Sequence, residues 1–163
     1  MASTLRSILV TGANQGLGYH TVHQLGFLER REAFSCLCAP ESWLPRAKFA
    51  SEIDPSSEVV PLPLNVTDST SIKNAHDFIE NYLKDKKLAG LDVLSPICSA
   101  GIVGKTFEET YAVNIFGVVA ITEAIRPLMN NGGAIVNISS TLGSLHWHTQ
   151  RPPPPIYPSY NSS

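Results

Sequence analysis

Apolar residues along this chain come in short unbroken runs closed by glycine or proline, and between those runs they recur every three or four positions. Ser7-Ile8-Leu9-Val10-Thr11, closed by Gly12, predicts a buried strand. The stretch from Gly16 to Leu28, with Leu17, Val22, Leu25 and Leu28 near helical spacing, predicts a helix. Ala33 to Ala39 then reads as a second strand, Pro45 to Ile53 as a short helix and Glu58 to Leu64 as a third strand. Pro61 and Pro63 place that third strand at a sheet edge, because proline has no N–H to donate to a ladder. Asp68 or Ser69 caps a helix running to about Lys86, with Ile72, Ala75, Phe78, Ile79 and Leu83 as its apolar face. Lysines gather at its end, where the unpaired carbonyls favour positive charge, and Gly90 closes the segment. Leu91 to Ile97 predicts a fourth strand and Phe107 to Met129 a long helix. Ala134 to Ile138 predicts a fifth strand, entered through Asn131-Gly132-Gly133.

Strands that alternate with helices must run parallel, joined by right-handed crossovers, with helices on both faces. Burial on both faces explains why the runs are continuously apolar instead of alternating. The expected fold class is α/β, a Rossmann-type doubly wound parallel sheet that breaks off after its fifth strand.

Composition narrows the partners. With 163 residues, 43% hydrophobic and 16% charged, the chain suits one globular domain and not a disordered one. Twelve Lys and Arg against fourteen Asp and Glu give a net charge of −2, so no basic field draws a phosphate backbone and nucleic acid is not an expected partner. No apolar run approaches the roughly 20 residues of a membrane helix, and Met1 to Arg6 lacks the order of a signal peptide. The expectation is therefore no membrane association and a cytoplasmic location. Cys36, Cys38 and Cys98 lack zinc-type spacing and read as reduced, buried thiols. His20, His23, His146 and His148 show no convergent third ligand, so no metal is expected.

Candidate chemistry begins at Thr11-Gly12-Ala13-Asn14-Gln15-Gly16-Leu17-Gly18, between a strand and a helix. Glycines there permit a tight turn and let the backbone approach a pyrophosphate at the helix N-terminus. Five further motifs follow in order: Asn65-Val66-Thr67-Asp68, Ser99-Ala100-Gly101, Tyr111-Ala112-Val113-Asn114-Ile115-Phe116-Gly117-Val118, Ile135-Val136-Asn137-Ile138-Ser139-Ser140, and Tyr160-Asn161-Ser162-Ser163. Together they resemble the classical short-chain dehydrogenase/reductase family, carbonyl-reductase-like members in particular. The resemblance covers essentially the whole chain, which reads as the N-terminal two-thirds of such a protein.

That resemblance implies a single NAD(P)-binding Rossmann domain over residues 1–163, incomplete at its C-terminal side, and hydride transfer between a nicotinamide and a small carbonyl or alcohol substrate. Gly12, Asn14, Gln15, Gly16, Leu17 and Gly18 would hold the pyrophosphate, Asn65 and Val66 the adenine, and Ala100 and Gly101 the nicotinamide side. Tyr160 would act as acid or base at the substrate oxygen, Ser139 would hydrogen-bond that oxygen, and Asn114 would order a helix bend and hold a water for proton relay. Tyr157 is the weaker candidate, because Pro158 directly behind it would disturb a helix. The cofactor is NADP or NAD: Glu41 after Ala39-Pro40 could accept a ribose hydroxyl and favour NAD, whereas the carbonyl-reductase likeness pulls slightly toward NADP. Family dimers pack on the long helix around Asn114, which leaves a homo-oligomer open to the full-length form.

The departures from the family pattern keep a second reading open. Asn65 stands where the family has Asp, Cys98-Ser99 where it has Asn-Asn, the connection from Gly101 to Asn114 is short, and the sequence stops one residue before the family's catalytic lysine. Arg151 to Pro158 adds a proline-rich insertion holding five of the twelve prolines. A catalytically inactive nucleotide-binding module is the alternative. Without the lysine, Tyr160 lacks the charge that would lower its pKa, so the chain as written is expected to show little reductase activity.

Overall fold

Five segments pair side by side in one sheet, and the central one, Ser7–Thr11, is buried on both faces. The computed structural model describes residues 6–13, 16–27, 34–39, 57–96 and 106–138. The strands are β1 (Ser7–Thr11), β2 (Phe34–Ala39), β3 (Val59–Pro63), β4 (Leu91–Ser95) and β5 (Met129–Ile135), with helix α1 (Gly16–Phe27) after β1 and α2 (Ser69–Asp85) after β3. A long helical rod between β4 and β5 consists of α3 (Phe107–Tyr111), a π-helical segment (Ala112–Gly117), α4 (Val118–Ile125) and a final 3-10 turn (Arg126–Leu128). The helix expected at Pro45 to Ile53 lies outside the described residues, as do Cys98 and the proline-rich segment.

The strand order is β3-β2-β1-β4-β5 and every pairing is parallel. This is the doubly wound arrangement, with β1 central and the order reversing beside it, so a crevice opens outside the carboxyl ends of the strands. β3 lies at one edge, as Pro61 and Pro63 require. On one side of the sheet Leu9, Leu94, Ile79, Ile121 and Ile125 form a fully buried cluster with Leu62, Leu64 and Leu83; on the other, Ile8, Val10, Ala13 and Val22 form a smaller one.

Asp68 is the residue that caps α2, its carboxylate accepting from the Thr70 N–H at 2.9 Å. Ile72, Ala75, Ile79 and Leu83 are buried as expected, but Phe78 is 40% exposed. It stacks loosely on Tyr82 at the margin of the face, with ring centroids 6.4 Å apart.

β5 needs the largest correction. It begins at Met129, five residues before the expected Ala134, and runs through Asn130-Asn131-Gly132-Gly133. Leu91 pairs with Met129 while Val93 pairs with Ala134, so the extra residues bulge out of the ladder, helped by a left-handed Gly132 with φ 82°. A polar network anchors this bulge at the amino ends of the strands. Asn130 Nδ2 donates to Asp92 Oδ1 at 2.9 Å and to the Gly90 carbonyl at 3.1 Å, while the Ser7 N–H donates to Asp92 Oδ2 at 2.9 Å. The strand ends at Ile135, three residues before the expected Ile138, although beyond it the Val136 N–H still donates to the Leu94 carbonyl at 2.8 Å.

One expectation about the long helix also changes. Phe107–Leu128 is 22 residues with a mean hydropathy of 1.3 over its most apolar window, long and apolar enough to cross a membrane by length and composition. In the fold Ile121 and Ile125 are buried while Phe107, Ile115, Phe116 and Val119 remain exposed.

Glu58, Tyr82 and Lys86 tie the start of β3 to the end of α2. Lys86 Nζ donates to Glu58 Oε2 at 2.7 Å and lies 5.4 Å from the Tyr82 ring centroid. That bond holds the Glu58 carboxyl below its usual range, whereas burial, and then the Glu58 carboxylate, push the Tyr82 phenol up to about 12. The unfolded chain releases this proton near the ordinary value of 10.0. The resulting stability is therefore fully present below pH 10 and is lost as pH rises toward 12. Denaturant midpoints measured across that window should fall for the native sequence and fall less for Tyr82→Phe.

Candidate functional site

The β1–α1 turn is built by its glycines. Gly12 and Gly16 hold φ of 64° and 56°, in the left-handed region that side chains with a Cβ rarely adopt. Gly18 serves a different purpose, close approach: a Cβ there would stand 2.3 Å from the Gly12 carbonyl oxygen and 3.0 Å from Ala13 Cα. The first turn of α1 thus lies directly on the strand-end backbone, and Ala13 and Val22 are completely buried beneath it. Gly16 and Leu17 are exposed at the mouth of the turn, and no acidic residue occupies the first turn of α1. The first N–H groups of a helix have no partner within it, so a helix start without an acidic residue in its first turn suits an anion such as a phosphate. Asn14 and Gln15 lie outside the described residues.

A second element of the site stands at the carboxyl end of β3. Asn65 Oδ1 accepts from the Thr67 N–H at 3.0 Å and from Thr67 Oγ1 at 2.8 Å, and the Asn65 N–H donates to Ser71 Oγ at 2.8 Å. The Asn65 carbonyl accepts from the Asp68 N–H at 3.1 Å, so one short turn is pinned at four points. Val66 follows, half-buried against the core. It nests under the long helix at Gly117, where a Cβ would stand 2.6 Å from Val66 Cγ2. The two motifs are therefore packed on one another.

The third element is Asn114, inside the π-helical segment. The π-helical turn interrupts the regular α-helix at this residue. Asn114 Oδ1 is shielded from solvent and accepts no hydrogen bond among the described residues. An orphaned buried acceptor costs about 1–3 kcal/mol, so it marks a position where a donor belongs. Ser139, Tyr160, Ala100 and Gly101 lie outside the described residues.

Two features of the site went unread in the sequence. Thr106 and Glu109 form a capping box that starts the long helix, the Glu109 N–H donating to Thr106 Oγ1 at 3.2 Å and the Thr106 N–H to Glu109 Oε2 at 3.1 Å. Its Thr-x-x-Glu spacing ahead of an apolar run was a readable signal. The contact of Gly117 with Val66 had none, because it joins residues 51 positions apart in sequence.

Residues 6–152 match the model of the short chain dehydrogenase family. The short-chain dehydrogenase anuI of Penicillium roqueforti is 28% identical over 159 residues, covering 88% of this chain and 59% of that protein. The mitochondrial D-beta-hydroxybutyrate dehydrogenase of Mus musculus is 32% identical over 154 residues, covering 88% of this chain and 43% of its own length. Among solved structures, NADPH-bound carbonyl reductase from chicken fatty liver superposes with a TM-score of 0.72 at 30% identity, over 89% of this chain and 62% of that one. The chain thus spans about half the length of the curated relatives it matches.

Proposed function

The chain belongs to the short-chain dehydrogenase family, and from that premise we propose that it serves NAD(P)-dependent transfer of a hydride between a nicotinamide and a small carbonyl or alcohol substrate. The observation that supports this reading is the β1–α1 turn, where Gly12 and Gly16 hold left-handed φ and Gly18 lets the first turn of α1 pack directly on the strand-end backbone. In this reading Gly12, Asn14, Gln15, Gly16, Leu17 and Gly18 hold the pyrophosphate, Asn65 and Val66 border the adenine, and Ala100 and Gly101 border the nicotinamide half. The bound nicotinamide supplies the hydride. Tyr160 gives or takes the proton at the substrate oxygen, Ser139 donates a hydrogen bond to that oxygen, and Asn114 Oδ1 accepts from the water that relays the proton. NADP is the preferred cofactor, a choice supported by the NADPH bound to the chicken carbonyl reductase. Self-association through the long helix belongs to the same reading and is supported by the exposure of Phe107, Ile115, Phe116 and Val119.

Fluorescence titration with NADPH and NADH tests the proposal. NADPH should bind the more tightly, and Gly16→Val should weaken it at least about tenfold, because a β-branched residue is strained at positive φ and crowds the phosphate cradle. Failure to bind either nucleotide would overturn the reading. Asn114→Leu separates chemistry from folding: removing the orphaned acceptor should raise stability by about 1 kcal/mol, and in a chain extended through the family's lysine it should lower kcat for NADPH-dependent reduction of a ketone and aldehyde panel.

A further inference from the structure

We propose that Asn131 is a site of spontaneous covalent modification: its side-chain amide is lost to attack by the Gly132 backbone nitrogen, leaving aspartyl and isoaspartyl residues at the tip of the β5 bulge. The site lies at the amino ends of the strands, and the inference is independent of the nucleotide reading.

Asn131-Gly132 is the one Asn-Gly pair in the sequence. The reaction needs a following nitrogen that no Cβ shields, an asparagine amide that nothing holds, and a backbone with room to turn between them. Glycine supplies the first. The fold supplies the other two. Leu91 aligns with Met129 and Val93 with Ala134, so Asn130 to Gly133 stand opposite Asp92 alone and no β4 residue is aligned with Asn131 or Gly132. Both of those residues are exposed, and a Cβ on Gly132 would meet nothing within 4 Å. Their neighbours are held on either side. A Cβ on Gly133 would stand 3.0 Å from the Asn130 carbonyl oxygen and 3.1 Å from that of Leu91. Asn130 Nδ2 is bound to Asp92 Oδ1 and to the Gly90 carbonyl, whereas the Asn131 side chain makes no hydrogen bond among the described residues. Of two adjacent asparagines, the fold ties down one amide and releases the other.

The Gly132 nitrogen gives its proton to water and bonds to Asn131 Cγ, the Cγ–Nδ2 bond breaks, and Nδ2 leaves as ammonia. Water then opens the cyclic imide. Attack at Cγ yields aspartate, and attack at the Asn131 main-chain carbonyl yields isoaspartate, whose main chain runs through Cβ and Cγ. Water is the sole co-reactant and nothing is oxidised or reduced. Either product makes the net charge of −2 more negative by one carboxylate.

The experiment incubates the full chain at mildly alkaline pH, natively and in urea, with circular dichroism confirming that the native sample is folded. Peptide mass spectrometry follows the exchange of amide for acid at each asparagine, and methyl transfer from S-adenosylmethionine by an isoaspartyl methyltransferase detects isoaspartate in the peptide spanning Asn131. Native Asn131 should convert within about tenfold of its rate in urea, because local structure slows such a reaction only through its opening equilibrium, and Asn130 should remain an amide over the same time. Asn131→Gln should leave the peptide without isoaspartate, since the longer side chain closes a less favourable ring. Native conversion slower than that about tenfold margin, conversion of Asn130 ahead of Asn131, or a methylation signal that persists in Asn131→Gln would each overturn the proposal.

Discussion

Gly18→Ala is expected to destabilise the protein by about 3 kcal/mol and to abolish measurable NADPH binding. In an ordinary helix the same exchange stabilises by about 0.5–1 kcal/mol, so the sign itself is diagnostic. The added Cβ would stand 2.3 Å from the Gly12 oxygen, 2.8 Å from the Gly12 carbonyl carbon and 3.0 Å from Ala13 Cα. All three are backbone atoms, so no side-chain rotation relieves the overlap. The helix must instead lift from β1, which loosens the cluster of Ile8, Val10, Ala13 and Val22 and displaces the N–H groups at the mouth of the turn. Urea unfolding and NADPH titration read the two effects; an unchanged midpoint together with unchanged affinity would contradict the packing described for this turn.

Gly117→Ala is expected to cost about 1–3 kcal/mol and to weaken nucleotide binding at a distance. Its Cβ would stand 2.6 Å from Val66 Cγ2, 3.0 Å from Val66 Cβ and 3.1 Å from the Ala112 oxygen. Val66 has a single strongly restrained χ1, so it yields mainly by moving its backbone, and its backbone is the turn that Asn65 begins. The double variant Gly117→Ala, Val66→Ala should recover much of the lost stability, because it removes the methyl that clashes. A cycle of the two single variants and the double measures this coupling, which should exceed about 0.5 kcal/mol for residues in direct contact. Strict additivity would mean that the long helix and the β3 turn do not share this contact.

The same contact explains how the site is held together. Asn114 lies three residues before Gly117 in the π-helical segment, and Val66 one residue after Asn65, so the helix that carries the residue proposed for the relay rests on the turn proposed for the base. Displacing either end should therefore register at the other, which the Gly117 series reads directly.

Much of this architecture is legible in the sequence because its causes are local. The apolar run closed by Gly12, the spacing of Ile72, Ala75, Ile79 and Leu83, and the proline pair in β3 each follow from backbone and burial rules that act within a few residues. The glycine spacing from Gly12 to Gly18, set between a strand and a helix, likewise carries its own meaning. The order of motifs points to the family whose model matches residues 6–152.

What tertiary structure alone decided involves partners far apart in the chain. The early start of β5 depends on Asp92 and Gly90 receiving the Asn130 amide, and no periodicity in Asn130-Asn131-Gly132-Gly133 announces a strand. Phe78 has the helical phase of a core residue yet is exposed, because burial depends on what lies opposite and not on phase alone. The orphaned oxygen of Asn114 and the contact of Gly117 with Val66 exist only once the long helix is laid across the end of β3. Sequence determined which segments are strands and helices and which residue types stand at the carboxyl ends of the strands. Packing decided which polar atoms are left without a partner, since hydrogen-bond satisfaction is a property of three-dimensional neighbours and not of spacing along the chain.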